Sequence, residues 1–578
     1  MLYPKLKEIP TSRELVDVFK GYNHNLRIGE GEFYDMKNLS SDNYPVLSPR
    51  PKRGVYAVPS NPQGMVAKDS LCYVDGGDFI INEYLVPMGL KADDKPKTLI
   101  SMGAYVIIMP DKKYINTADL TDYGSIEATV KTTGTVTFSL CKVDGAGYDN
   151  VATQATAPTE PENMDLWIDT SSTPHQLKQY STTTDMWSAI ATTYIKISAT
   201  GIGKPFNEND GVTISGVESL PDLNASMVVW AKGDNYIVVT GILDQVTTQE
   251  TAITISRKMP NMDFIIESEN RLWGCRYGVA LNGEIVNEIY ACKLGDFKNW
   301  NCFMGISTDS YVATVGTDGQ FTGAITHLGY PLFFKENFVH KVYGNYPANY
   351  QIQTTACRGV QKGCERSLSI VNEVLYYKAR SGICAYDGSL PVEISSALGD
   401  VAYHNAVAGT LGNKYYISMK DASEDWHLFV YDTLKGMWHR EDDTQAVQFC
   451  NCRGDLYYID YADNQIKTVR GTTGVAETEP IKWEAVTGII GTDSPDKKYI
   501  SRMDVRMSLA VGTRVSFFVE YDSSGEWDHL FTMDGVKLRT FAVPIRPQRC
   551  DHMRLKIIGN GEAKIFSICK TIEQGSDV

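Results

Sequence analysis

The stretch Lys414–Trp438, KYYISMKDASEDWHLFVYDTLKGMW, decides the fold. Two apolar, aromatic-rich runs flank the polar turn Asp421-Ala-Ser-Glu-Asp425, and Asp432-Thr-Leu-Lys-Gly436 leads to Trp438. Short β-branched and aromatic runs bounded by turn residues read as strands. The same unit recurs outward along the chain. Ser70–Val86 reads strand, Asp-Gly-Gly turn, strand, and Gly103–Thr117 places Pro110-Asp111 in its turn. Arg271–Trp300, Glu373–Ser395 and Asp455–Val469 continue the series.

An Asp–turn–Trp signature accompanies it at Asp296…Trp300, Asp432…Trp438 and Asp522…Trp527. Aspartate caps a turn by accepting from backbone N–H groups, and tryptophan packs a flat face between neighbouring sheets. Hairpin repeats of this length predict an all-β chain built on a β-propeller. The segment from Leu120 to Pro260 is rich in Thr, Ser and Ala and interrupts the series, so it reads as inserted small β domains. From about Glu479 the pattern alternates strictly, with Met503, Val505 and Met507 on one face, which predicts a C-terminal antiparallel β-sandwich. The expected organisation is an extended arm (1–53), first blades (54–119), the insertion (120–260), the remaining blades (261–475) and the sandwich (476–578).

The bulk numbers agree with a large folded chain. Its 578 residues correspond to three or four domains or one large closed architecture. The 43% apolar share suffices for a sizeable core. The net charge of −15 leaves no basic nucleic-acid footprint. Twelve cysteines are scattered without a CxxC pair, and read as small buried residues. No run of 18 apolar residues occurs and the N-terminus lacks a signal-peptide core, so a chain without a membrane anchor, made in a cytoplasm, is expected.

Catalytic signatures are scarce. There is no GxxxxGK[ST] loop, GxSxG elbow or HExxH. Ser307–Phe321 carries only fragments of a sialidase Asp-box, at Ser307, Asp309, Asp318 and Gly319. The nine histidines are dispersed, with His427 and His439 closest. Glu441-Asp442-Asp443 reads as a solvated turn, and Arg50–Arg53 as an intersubunit or intradomain contact. The expectation is a chain that is not an enzyme, with no catalytic, cofactor-binding or metal-ligating residue singled out and no cofactor.

One set of segments resembles a known family. Met262–Cys275 (MDFIIESENRLWGC), Ile289–Trp300 (IYACKLGDFKNW), Gly316–Gln353 and Arg358–Ser396 resemble the tail-hub, or packaged-DNA stabilisation, proteins of short-tailed phages, with their propeller-built tail nozzles. The opening arm and the closing sandwich look similar; residues 120–260 depart from the pattern. The resemblance implies a structural virion protein of the tail, assembled in the host cytoplasm. It implies a ring, typically six copies, below the portal and adaptor. Such a ring extends the DNA channel, retains packaged double-stranded DNA without sequence specificity, and carries fibres, spikes or a plug. The competing expectation is a peripheral receptor- or carbohydrate-binding tail component. It would use the 120–260 insertion, where Trp167, Tyr180 and Trp187 either stand exposed for sugar stacking or, as such aromatics more often do, form the core of a small sandwich.

The arm itself is read from its residues. Pro45, Pro49 and Pro51 bias it to open geometry. Tyr34, Tyr44 and Leu47 are expected to anchor it, and Arg50–Arg53 to lead into the first blade strand at Val55-Tyr56. Thr11–Gly21 is either a short helix capped by Ser12 or irregular.

Overall fold

The computed structural model describes residues 11–91, 95–280, 283–492, 496–535 and 537–574. The first ten residues of the arm and the last four of the polar tail lie outside the described residues. The chain is all-β, with four short 3₁₀ turns among the described residues.

Seven sheets follow one another around an axis. Six are four-strand meanders at Pro62–Val86, Thr98–Ser125, Phe264–Thr314, Phe321–Ala356, Ser369–Glu393 and His404–Arg440. The seventh runs from Ala446 to Thr468 and takes its fourth strand, Gly54–Ala57, from the residues that directly follow the arm. First strands of neighbouring blades touch round most of the ring, and Ala446–Cys452 meets Pro62–Ala67 to close it. The 3₁₀ turn Glu365–Ser367 stands between the first strands of the fourth and sixth blades. Closure by an N-terminal strand leaves the ring without a free seam.

Apolar layers fill the gaps between blades, and those between the fourth, fifth and sixth blades join the core of the sandwich. Cys72, Phe79, Val106 and Ile115 fill the first, and Ile107, Leu272, Phe297 and Trp300 the second. Leu411, Tyr416, Leu456 and Tyr458 lie between the sixth and seventh blades. Gly409 shows how close the layers sit: a Cβ there would meet Phe449 Cβ at 2.4 Å. The Asp–turn–Trp reading holds in two blades. Asp432 Oδ1 accepts from Lys435 N, and the buried Trp438 packs against Tyr431 and donates to Ile394 O of the neighbouring blade. Asp296 caps Lys298 N, and Trp300 is buried. The third instance, Asp522…Trp527, lies in the sandwich.

The C-terminal unit is a sandwich. One sheet orders Thr11–Val16, Ala563–Gln574, Lys498–Leu509 and Arg539–Val543. The other contains Gly21–Tyr22, Glu32–Lys37, Lys482–Thr487, Met553–Asn560, Arg514–Tyr521 and Asp528–Asp534. Met503, Val505 and Met507 are buried between them, as the alternation predicts. The second sheet does not stop at the sandwich. Tyr22 pairs with Trp438, so the sixth blade and the sandwich form one ten-stranded sheet.

This architecture corrects the reading of Thr11–Gly21. Thr11–Val16 is neither helical nor irregular; it pairs antiparallel with Ile568–Glu573. Leu15 is exposed, so no apolar face holds a helix there, and the long C-terminal strand offers a ladder for the backbone groups instead.

The insertion starts later than position 120, because Asp119–Ser125 is the outer strand of the second blade. Its strands lie between Ala128 and Arg257 in two sheets around Phe138, Ile197, Phe206, Val212 and Ile255. A third sheet, Val151–Ala189, is nested within it and opens with a parallel pair. Buried Asp210 clamps the unit to the third blade. It accepts from Arg257 Nη1 and, at 2.8 Å, from Asn299 Nδ2, while Asn299 Oδ1 accepts from Gly211 N.

Candidate functional site at the propeller axis and the arm junction

The first strands enclose an axial cavity of about 530 Å³. Leu99, Phe264, Leu368 and Phe449 supply apolar wall, and Lys97, Asp263, Glu365 and Arg366 bring charge. Lys97 Nζ lies 2.6 Å from Asp111 and both side chains are buried. Asp263 Oδ2 accepts from Tyr277 N. Arg366 spans from the 3₁₀ turn to the seventh blade, where Nη1 donates to Val447 O at 2.8 Å. Burial pulls its pKa down, with the neighbouring Glu365 acting against the shift. Gln448 stitches the ring's closure by accepting from Met65 N and donating to Met65 O.

The second feature is the junction of arm and propeller. Arg53 is buried. Its Nη2 donates to Glu441 Oε2 at 2.9 Å, and its Nη1 lies 2.9 Å from Asp442 and donates to Thr444 Oγ1 at 2.6 Å. Arg50 reaches Glu477 through both terminal nitrogens, at 3.0 and 3.3 Å, and donates from Nε to Asn38 Oδ1. Burial pushes Glu441 above the usual carboxylate range against Arg53 and Arg50. For Asp442 the two arginines outweigh burial and hold it low. Arg53 is held well above its ordinary value: burial opposes its charge, but Asp442, Tyr458 and Glu441 prevail.

The expectation of a solvated turn at Glu441–Asp443 is therefore corrected. Glu441 and Asp442 are the acceptors of the arm's arginines, and only Asp443 is half exposed. Arg50–Arg53 is an intradomain contact that sets the strand closing the seventh blade. Further along the arm, Lys414 Nζ lies 2.5 Å from Asp42, and Ser41 Oγ donates to Asp432 Oδ2. Of the expected anchors, Leu47 is buried and Tyr34 stacks on His24 at 4.2 Å, whereas Tyr44 is 41% exposed. The deeper anchors are Phe19, Tyr22, Phe33, Met36 and Leu39.

Of the two readings of the insertion's aromatics, the packed one holds. Trp167 is buried, donates from Nε1 to Gln154 O, and meets Trp187 edge-on at 5.4 Å; Tyr180 packs on Trp187. The Asp-box fragment has a structural use: Asp309 Oδ2 accepts from the backbone N–H groups of Met304, Gly305 and Ile306. Burial brings His439 down to about 3, while His427 lies 2.8 Å from Asp421. Among the described residues no group of three His, Cys, Asp or Glu side chains could hold a metal ion. No helix among them is long and apolar enough to cross a membrane.

No protein-family model and no curated protein matches the chain. Solved structures do. The exo-β-1,3-galactanase of Phanerochaete chrysosporium matches with 10% identity and a TM-score of 0.22, covering 53% of this chain and 94% of its own. A bifunctional enzyme of Bacteroides eggerthii from the same glycoside hydrolase class matches with 9% identity and a TM-score of 0.21, covering 54% and 62%. The extracellular domain of a putative one component system of B. thetaiotaomicron covers 92% of this chain and 98% of its own, with 9% identity and a TM-score of 0.22. The expectation of a chain that is not an enzyme is corrected by these neighbours. They include glycoside hydrolases. At this identity the likeness concerns the fold alone and transfers no activity.

Proposed function

We propose that this chain is a structural protein of a bacteriophage tail. Copies form a ring, six in number, below the portal and adaptor; the ring extends the DNA channel, retains packaged DNA and attaches other tail parts. The observation that carries the reading is the ten-stranded sheet. It fuses arm, sixth blade and sandwich into one block, and a rigid block suits a wall that holds pressurised DNA. The segments that resemble tail-hub proteins, Met262–Ser396, coincide with the third to fifth blades. The net charge of −15 suits a conduit that DNA passes without condensing onto it.

Virions carrying this chain test the proposal. Quantitative proteomics is expected to find it at ring stoichiometry, about six copies per particle, with antibody label at the single portal vertex. Label spread over the capsid, or absence from purified particles, contradicts it.

A further inference from the structure

The cavity on the propeller axis has apolar walls and one cation with donors to spare. Leu99, Ile265, Ala408 and Phe449 come from four different blades, and all four line it. Each is buried yet keeps 8% of its surface accessible. These side chains stop short of the axis and leave about 530 Å³, within the range of small-molecule sites. Thr98, Asp263 and Asn451 also line the cavity and are exposed, so it opens to solvent.

Most polar groups of the lining are already committed. Lys97 Nζ donates to Asp111 Oδ2 at 2.6 Å and to Lys91 O at 2.8 Å. The Gln448 amide is spent on Met65, and Asn451 Nδ2 donates to Thr410 O. Arg366 differs. Its guanidinium makes one hydrogen bond among the described residues, from Nη1 to Val447 O, and that acceptor is neutral. The edge formed by Nε and Nη2 has no hydrogen-bond partner there. Burial works against the charge of Arg366, and Glu365 on the same turn supports it from nearby.

A guanidinium with a free planar edge matches a carboxylate through two parallel N–H···O bonds. The apolar wall calls for a ligand body without further charge. Glu365 and Asp263 bring negative charge to the same lining, which disfavours a dianion. We propose that the axial cavity binds a small organic monocarboxylate. Its carboxylate takes the Nε–Nη2 edge of Arg366, and its apolar body lies against Leu99, Ile265 and Phe449. The cavity belongs to a single chain, so the site does not depend on the ring proposed above.

Isothermal titration calorimetry on the full chain tests it. Hexanoate and benzoate are the probes, 1-hexanol and benzyl alcohol their uncharged counterparts, and inorganic phosphate the dianion. At least one carboxylate is expected to bind saturably at about millimolar concentration or below. Its alcohol is expected to bind about tenfold more weakly, and Arg366→Met to weaken the carboxylate by about the same factor. Glu365→Gln removes the opposing charge and is expected to tighten carboxylate binding about threefold. Glu365 is part-buried and its side chain makes no hydrogen bond among the described residues, so this variant keeps the test sound should Arg366→Met unfold the propeller. No saturable binding by either carboxylate, equal binding of the alcohol, or displacement by an equal concentration of phosphate overturns the proposal. So does an affinity indifferent to Glu365→Gln, or a folded Arg366→Met that binds like wild type.

Discussion

Arg53→Met is the sharpest perturbation of this fold. It keeps an unbranched stem and removes the guanidinium charge that Glu441 and Asp442 face at 2.9 Å. The side chains of Arg53 and Glu441 are 6% and 4% exposed, so water does not replace the lost partner. Removing one member of a buried ion pair costs about 3–5 kcal/mol, because the other charge stays buried. That corresponds to roughly two to three and a half powers of ten in the unfolding equilibrium. The loss has a pH signature. Without Arg53, the Glu441 carboxyl rises further above its unfolded value of about 4.3. The folded state then holds a proton that the unfolded state has released, so stability falls as pH rises through that window. The deficit of Arg53→Met is therefore smaller at pH 5 than at pH 8. Guanidinium unfolding followed by fluorescence, at both pH values, reads it. Adding Glu441→Gln removes the stranded charge and is expected to recover about 1 kcal/mol or more. A loss below about 0.5 kcal/mol, the level of an ordinary surface change, with no pH dependence, refutes the reasoning.

Three further outcomes follow from the same geometry. Deleting residues 1–53 removes three strands from the sandwich sheets and the buried anchors Phe33 and Leu39, so thermal stability falls sharply; an unchanged melting curve would refute the docked arm. Arg257→Met leaves Asp210 buried without its cation, and hydrogen exchange is expected to rise at the insertion–blade junction around 210–211 and 299 while the distant fifth blade keeps its protection; uniform protection would contradict the clamp. Burial holds His340 near 4 and His439 near 3, both below the ordinary histidine value, so the unfolded state takes up protons first and stability drops as pH falls below about 6.5. His340→Asn should flatten the melting-temperature profile between pH 7 and 4, and a slope equal to wild type would exclude that histidine as a contributor.

What the sequence made legible was local. Strand periods and turn residues announce Lys414–Trp438 as a meander, and the Met503–Met507 alternation marks a buried sheet face. What it hid was long-range. Glu441 finds Arg53 from 388 positions away, and a charge run looks like a solvated turn until that partner is in place. Thr11–Val16 carries mixed local signals, and its state is set by the strand at 568–573, more than 550 residues on. Whether Trp167, Tyr180 and Trp187 stand exposed or pack as a core could not be read locally for the same reason, since their mutual packing depends on strand register within the nested sheet.

Native mass spectrometry of the purified chain, alone and with the portal–adaptor complex, tests the central claim most directly. The account predicts a closed ring near six times 64.2 kDa, formed in solution or on the adaptor. A stable monomer or trimer that ignores the adaptor would contradict it.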